Sequence, residues 1–448
     1  MKRKWIFLSL ATGLILLAGV LFIDFYRNLN ANGKDSLHEF TLKEEDFDAA
    51  PVIREDDPQD LSVVKETGTA DETETTDGTD QPRREACSAD FTVFGDVLLH
   101  ENVLSDGNRN AGGSGMRDDW SKGFDFKPVF EDTSDLIENA DFALINQASL
   151  VGGNDATSAL SGYPRFNGPS SIADDYASLG IDGVNIATNH ALDLESEGWK
   201  NAVLTWKSKS VHAIGAYRDE AEIKDEYNKI IEINGLKIAF FSYVCDTNLH
   251  LIRAQDLGIP YASLTGGALK KQEIIKDISS CRPNADAVIV YINWACDASF
   301  EETDFQRETA RFLADAGADI ILGNGPKVLQ KVEWITGSAG KKCLCAYSLG
   351  NSLCSMQFIE NLLGGVLQFT VERDISGAVT IKNVVVEPTM IVYDSSIRNI
   401  RLKKLSHFDE ASFDAHGSNL LYGKGEYGWL IQTVKKQIPE PFLPASYR

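Results

Sequence analysis

Phe91-Thr92-Val93-Phe94-Gly95-Asp96-Val97-Leu98-Leu99-His100 is the stretch on which the fold turns. Four apolar or β-branched residues read as a buried strand, and Gly95-Asp96 ends it. The same grammar recurs along the chain. Phe142–Ile145 runs into Asn146-Gln147-Ala148, and Gly183–Ala187 into Thr188-Asn189-His190. Ala287–Ile292 delivers Asn293-Trp294, and Asp319–Leu322 delivers Gly323-Asn324-Gly325-Pro326-Lys327. Polar and ionisable residues gathered at strand ends are where open α/β sheets place their chemistry.

Between these strands lie helical patterns. One ends at Leu179 before Gly180, one runs from about Glu195 to Ser208, and one from Phe305 to Ala316 before Gly317. Strands alternating with helices predict an α/β fold. Lys237–Ser242, Leu344–Ser348, Gly365–Val371 and Val379–Glu387 read as further strands. The density of the last three predicts a second, more antiparallel sheet in the C-terminal half. Past residue 400 the pattern weakens, and Leu420–Gly423 and Trp429–Ile431 read as a short helix or clamp.

The chain has 448 residues, 43% hydrophobic, and a formal net charge of -23. Such acidity repels nucleic acid and anionic headgroups, and no basic stripe offsets it. At the N-terminus, Met1-Lys2-Arg3-Lys4 precedes an apolar run from Trp5 to Ile23. That run is long enough to span a bilayer, and its cationic flank stays in the cytoplasm. It leads into Asp24-Phe25-Tyr26-Arg27 without an Ala-x-Ala-like site, which favours a signal-anchor over a cleaved signal peptide. No cysteine follows closely, which argues against a lipid-modified anchor. The expected arrangement is a single-pass membrane protein with its bulk outside the cytoplasm. Residues 1–26 form the tip and membrane helix, 27–88 an acidic stalk too poor in apolar side chains to fold, 89–395 the globular domain and 396–448 an extension.

The seven cysteines show no CxxC or zinc-ribbon spacing. An odd count leaves at least one outside any intramolecular pairing. Cys343 and Cys345 share one strand face, which suits packing. Cys245-Asp246 and Cys296-Asp297 both follow strand ends and could approach one cleft.

Taken together and in this order, the motifs resemble the CapA family of capsule and poly-γ-glutamate synthesis proteins. The stretches that carry the likeness are Phe94–His100, Ile145–Gln147, Gly162-Tyr163-Pro164-Arg165-Phe166-Asn167, Ala187–Asp193, Ala316–Asp319 and Tyr347-Ser348-Leu349-Gly350-Asn351. It covers roughly residues 90 to 395. The resemblance implies a membrane-anchored, extracytoplasmic domain of metallophosphoesterase-like fold, a two-sheet sandwich flanked by helices. It also implies a site where carboxylates and imidazoles hold metal ions that activate water.

Matching positions are kept at Asp96, His100, Asn146, Asn189, His190 and Asp193. Elsewhere the pattern breaks. The family's Asn-x-Glu is Asn146-Gln147-Ala148, its His-Trp-Gly-x-Glu is Asn293-Trp294-Ala295-Cys296-Asp297, and its Gly-x-His-Pro-His is Gly323-Asn324-Gly325-Pro326-Lys327. One carboxylate and three imidazoles are missing, and an ammonium at Lys327 opposes a nearby cation. Asn189 and His190 are the candidates for residual catalysis. Asp96, His100, Asn146, Asp193, Asn293, Asp297 and Lys327 are the candidates for binding, and Asp96, His100 and Asn146 are the residual metal candidates. The expectation is no resident cofactor, with manganese, iron or zinc only if other residues rebuild the site. Expected partners are an anionic surface polymer or membrane synthase subunits. The alternative is an active metal-dependent hydrolase with a rearranged site.

Overall fold

The computed structural model of the protein describes residues 85–448 except 154–159, 220, 224–229, 249–257, 261, 263–268, 295, 297 and 423–424. The membrane run, the stalk as far as residue 84 and Asp297 therefore lie outside the described residues. Among the described residues no helix is long and apolar enough to cross a membrane.

In chain order the strands begin with β1 (Cys87–Val97), β2 (Phe142–Asn146), β3 (Val151–Gly153), β4 (Gly168–Pro169), β5 (Gly183–Asn185) and β6 (His212–Ile214). Next come β7 (Ile230–Ile233), β8 (Leu236–Val244), β9 (Ala287–Asn293), β10 (Ile320–Asn324) and β11 (Val332–Thr336). The series ends with β12 (Lys342–Ala346), β13 (Asn351–Leu353), β14 (Leu363–Arg373), β15 (Val379–Val392) and β16 (Arg401–Lys404). The first of them, β1, starts inside the segment read as stalk.

Two large sheets result. The first has the order β16-β15-β14-β1-β2-β5-β6, with β13 also on β1. The second has the order β11-β12-β10-β9-β8-β7. The neighbours β1, β2, β5 and β6 are parallel, as are β8, β9, β10 and β12. Parallel strands covered on both faces read as unbroken apolar runs, which is why β2 and β9 are legible in the sequence. Both are buried at every position.

The expected antiparallel C-terminal sheet does not exist as a separate sheet. β14 and β15 are antiparallel and extend the first sheet, whereas β12 lies in the second, parallel to β10. Phe91 of β1 pairs with Phe369 of β14, and β15 and β16 add outward. Local sequence specifies a strand, whereas its partner is chosen by which apolar edge remains uncovered.

The two sheets face each other across a shared core, in which the rings of Phe142 on β2 and Phe240 on β8 stack 5.7 Å apart. A second core lies under the helices Lys271–Cys281 (α1) and Asp304–Ala316 (α2), where Ile274, Ile278, Ala310 and Leu313 are buried. A capping box starts α2. The Thr303 hydroxyl accepts from Gln306 N at 3.2 Å, and Gln306 Oε1 accepts from Thr303 N at 3.0 Å. It ends at Gly317 in the left-handed region, φ +113°.

The C-terminal extension is no appendage. Residues past 395 supply β16, which pairs Lys404 with Thr389, and the helix Tyr427–Gln437. They bury Leu402, Phe413, Leu430, Val434, Ile438 and Leu443 in the main core. The buried carboxylate of Asp106 accepts from Asn399 N and Ile400 N, each at 2.9 Å. It thereby ties the tail to the helix Glu101–Asn110 that follows His100.

His416 anchors the same region. Its Nδ1 accepts from Ser418 N at 3.0 Å and its Nε2 donates to Ile391 O at 3.1 Å, with Tyr393 packed 4.7 Å away. This pattern requires a neutral ring. Burial, opposed by the Ile391 bond, pushes its pKa down to about 4. Below pH 6.5 the unfolded chain takes a proton at this position that the folded chain refuses. Stability therefore falls as the pH drops from the ordinary histidine value toward the folded one. Chemical denaturation at about pH 7.5 and about pH 5 should show a loss about 1–2 kcal/mol smaller in His416→Gln than in the parent. Equal losses in both proteins would remove His416 as the cause.

None of the seven cysteines, all among the described residues, is in a disulfide. Burial raises the thiols of Cys343, Cys345 and Cys354, the last to about 12. They behave as small apolar core residues.

Candidate functional site

The fold brings Asp96 into a buried polar chain. In the β1–β2 pairing Phe94 faces Ile145 and Asp96 faces Asn146, so Gly95 is left over as a bulge. Only glycine fits there, because a Cβ would lie 2.3 Å from Gly350 O. The bulge turns the Asp96 side chain onto Asn146, whose Nδ2 donates to Oδ1 at 2.6 Å. Asn146 Oδ1 accepts from Asn185 Nδ2 at 2.6 Å, and Asn185 Oδ1 accepts from Ser242 Oγ at 2.6 Å. Ser242 belongs to the other sheet, so this relay crosses the sandwich. It fixes each amide in one orientation and leaves Asp96 Oδ2 aimed outward.

That oxygen meets Lys327. The ammonium donates to Asp96 Oδ2 at 2.7 Å, with the lysine side chain 13% exposed and the aspartate 1%. The backbone explains the reach. Gly325 has φ +115° and Lys327 itself φ +62°. Left-handed lysine is costly, and two amides hold it: Asn351 Nδ2 at 3.1 Å and Asn361 Nδ2 at 3.0 Å both donate to Lys327 O. Lys327 is thus a fixed, nearly buried partner of Asp96 and not a solvated loop lysine.

A second cluster lies alongside. Asp193 Oδ2 accepts from His190 Nδ1 at 2.8 Å and from Phe166 N at 2.7 Å. Phe166 packs edge-on between two imidazoles, 4.7 Å from His190 and 5.3 Å from His100. Asn248 Nδ2 lies 3.0 Å from His190 Nδ1, and Asn189 Nδ2 donates to Asn248 Oδ1 at 3.1 Å. Burial, and then the charges of His190 and Lys327, push the His100 pKa down to about 4, which makes it a neutral imidazole at neutral pH.

Asn293 sits beside this centre and pairs with Asn324, to whose Oδ1 its Nδ2 donates. Asn293 Oδ1 and Asn324 Nδ2 have no hydrogen-bond partner among the described residues. Asp297, a candidate from the sequence, lies outside the described residues. Among the described residues no group of three or more His, Cys, Asp and Glu is placed to hold a metal ion. Of the two carboxylates at matching positions, Asp96 already has a cation on its outward oxygen, and Asp193 is taken up by His190 and Phe166 N.

Sequence reasoning missed Asn185, Ser242, Asn248, Asn324, Asn351 and Asn361. For two of them a signal exists. Asn185 and Ser242 are polar residues inside apolar strands, and a buried polar group needs a partner. The others act from loops or from positions whose neighbours are set only by folding.

A strand-end polar centre on a two-sheet α/β sandwich defines the class of this protein. The chain belongs to the family described as Bacterial capsule synthesis protein PGA_cap, which it matches over residues 90–356. It is 28% identical over 198 residues to the PGA biosynthesis protein CapA of Bacillus subtilis (strain 168), covering 43% of this chain and 48% of that one. It is 26% identical over 186 residues to the capsule biosynthesis protein CapA of Bacillus anthracis, covering 38% and 40%. The matches thus span less than half the length of these relatives. Among solved structures it is similar to the Haemophilus influenzae NAD nucleotidase NadN, with TM-score 0.38 and 12% identity over 80% of this chain and 57% of that one. It is also similar to a Staphylococcus aureus protein described as a putative 5'-nucleotidase, with TM-score 0.42 and 12% identity over 67% and 54%. Likeness that distant says nothing of chemistry.

Proposed function

We propose that this chain serves the synthesis or export of an anionic surface polymer of the capsule or poly-γ-glutamate kind. In this reading it is anchored in the cell membrane by Trp5–Ile23, and its globular part lies outside the cytoplasm. Its strand-end site binds, and does not carry a two-metal hydrolytic centre. Polymer segments or membrane synthase subunits are the partners, and nucleic acid is not.

The observation that carries this reading is the Lys327 ammonium 2.7 Å from Asp96 Oδ2. A fixed positive charge there supplies what a cation would supply and repels a second one. The missing imidazoles at Asn293, Gly325 and Lys327 point the same way. Asn189 and His190 remain as polar groups able to hold a ligand.

The test is elemental analysis of protein purified without chelator or added metal, paired with phosphoesterase and γ-glutamyl hydrolase assays. The expected result is well under one equivalent of manganese, iron or zinc, and no hydrolysis that Asp96→Ala abolishes. Two equivalents of metal, with activity lost to a chelator, would instead establish a hydrolase with a rearranged site and would direct attention to Asp297.

A further inference from the structure

With Lys327 committed to Asp96, the site needs another cation to meet an acidic ligand. His190 is buried and its Nδ1 faces Asp193. Arg165 is different. Its Nε donates to the backbone carbonyl of Asp193, which fixes the guanidinium on the same residue that holds His190 and Phe166. The side chain is 52% exposed. Its one ionic contact among the described residues is Nη2 to Glu195 Oε1 at 3.5 Å, and Glu195 is 73% exposed. A pair so long and so wet is weak. What remains is a planar fork, anchored at its root and open at its tip, on the lip of the polar centre. Tyr163 next to it is 74% exposed, and the loop carrying both residues packs against His100, since a Cβ on Gly162 would lie 3.0 Å from the His100 backbone.

We infer that Arg165 is the specificity-determining residue of the site, gripping a carboxylate of an acidic polymer segment, and that Asp193 is its positioning residue. This rests on the binding function proposed above and names its ligand class. A planar fork matches a planar carboxylate in two parallel hydrogen bonds. The net charge of -23 allows no general attraction to a polyanion, so the grip must be local. Glu195 then acts as an internal competitor that an incoming carboxylate displaces.

The experiment is equilibrium binding of a short γ-linked glutamate oligomer to the purified full-length chain in detergent micelles. The variants are Arg165→Gln, Arg165→Lys, Glu195→Gln and Asn189→Ala, and a polyphosphate of equal length is the comparison ligand. Arg165→Gln should weaken binding about tenfold or more, since a charge-assisted pair is lost. Arg165→Lys keeps the charge without the fork and should fall between. Glu195→Gln should tighten binding about twofold to threefold, a gain that loss of folding cannot mimic. Unchanged binding in Arg165→Gln, with loss in Asn189→Ala, overturns the inference and leaves the site reading standing. Unchanged binding in both variants, or no binding by the parent, overturns both readings. Arg165-dependent binding of polyphosphate alone overturns the carboxylate assignment.

Discussion

Lys327→Met should cost about 3–5 kcal/mol of stability at neutral pH, because it strands the Asp96 carboxylate in the interior. The pair is nearly dry, with Asp96 only 1% exposed, so solvent cannot take over from the ammonium. One hydrogen bond from Asn146 remains on the other oxygen and cannot compensate for a lost charge partner. Asp96→Asn in the same chain removes the stranded charge, so the double variant Asp96→Asn/Lys327→Met should recover most of the loss. A denaturant series on the two single variants and the double variant measures the coupling directly. A single-variant cost below about 1 kcal/mol would mean that the pair is looser or wetter than its geometry, and the replacement of a metal by Lys327 would lose its physical basis.

Ending the chain after Ser395 should abolish folding of the globular part. The cut removes β16 and uncovers the edge of β15, leaving a long strand open to aggregation. It also removes six fully buried side chains: Leu402, Phe413, Leu430, Val434, Ile438 and Leu443. At about 1.5–3 kcal/mol each, their burial is worth on the order of 10 kcal/mol, comparable with the whole stability of an ordinary domain. Asp106 would at the same time lose both backbone donors and keep only the Arg109 contact at 3.4 Å. Calorimetry or a denaturant titration of the truncated chain should show no cooperative transition. A cooperative melt within a few degrees of the full chain would mean that the tail is a dispensable strap. The cut falls beyond the family match, which ends at residue 356, so the result also shows how far past that match the folding unit extends.

Much of the frame is legible in the amino-acid sequence. The apolar runs at β1, β2, β9 and β10, each closed by Gly, Asp or Asn, place the strands and their ends. The helix before Gly317 is legible because its stop signal is local. The helix that starts at Glu195 and the strand-end positions of Asp96, Asn146, His190 and Asn293 are legible for the same reason. A strand or a cap is specified by residues within a few positions of each other.

The joins are not legible. The carboxylate of Asp96 meets an ammonium 231 positions away, and Asn146 bonds to Asn185, 39 away. Whether β14–β16 form their own sheet or extend the first depends on which edge is left uncovered, not on the strands themselves. The tail is hidden for the same reason: Leu430, Thr433, Val434 and Gln437 recur at helical spacing, but what that face packs against is set only by folding.

The sequence by itself determined the α/β alternation, the polar strand ends and the acidic charge. Each of these is a property of composition or short-range order. Only the tertiary structure decided that Lys327 closes on Asp96, that Asn185 and Ser242 complete a relay between sheets, and that the tail is core. Those outcomes depend on burial: an ion pair, an amide chain or an apolar tail is settled by what the rest of the fold shields from water.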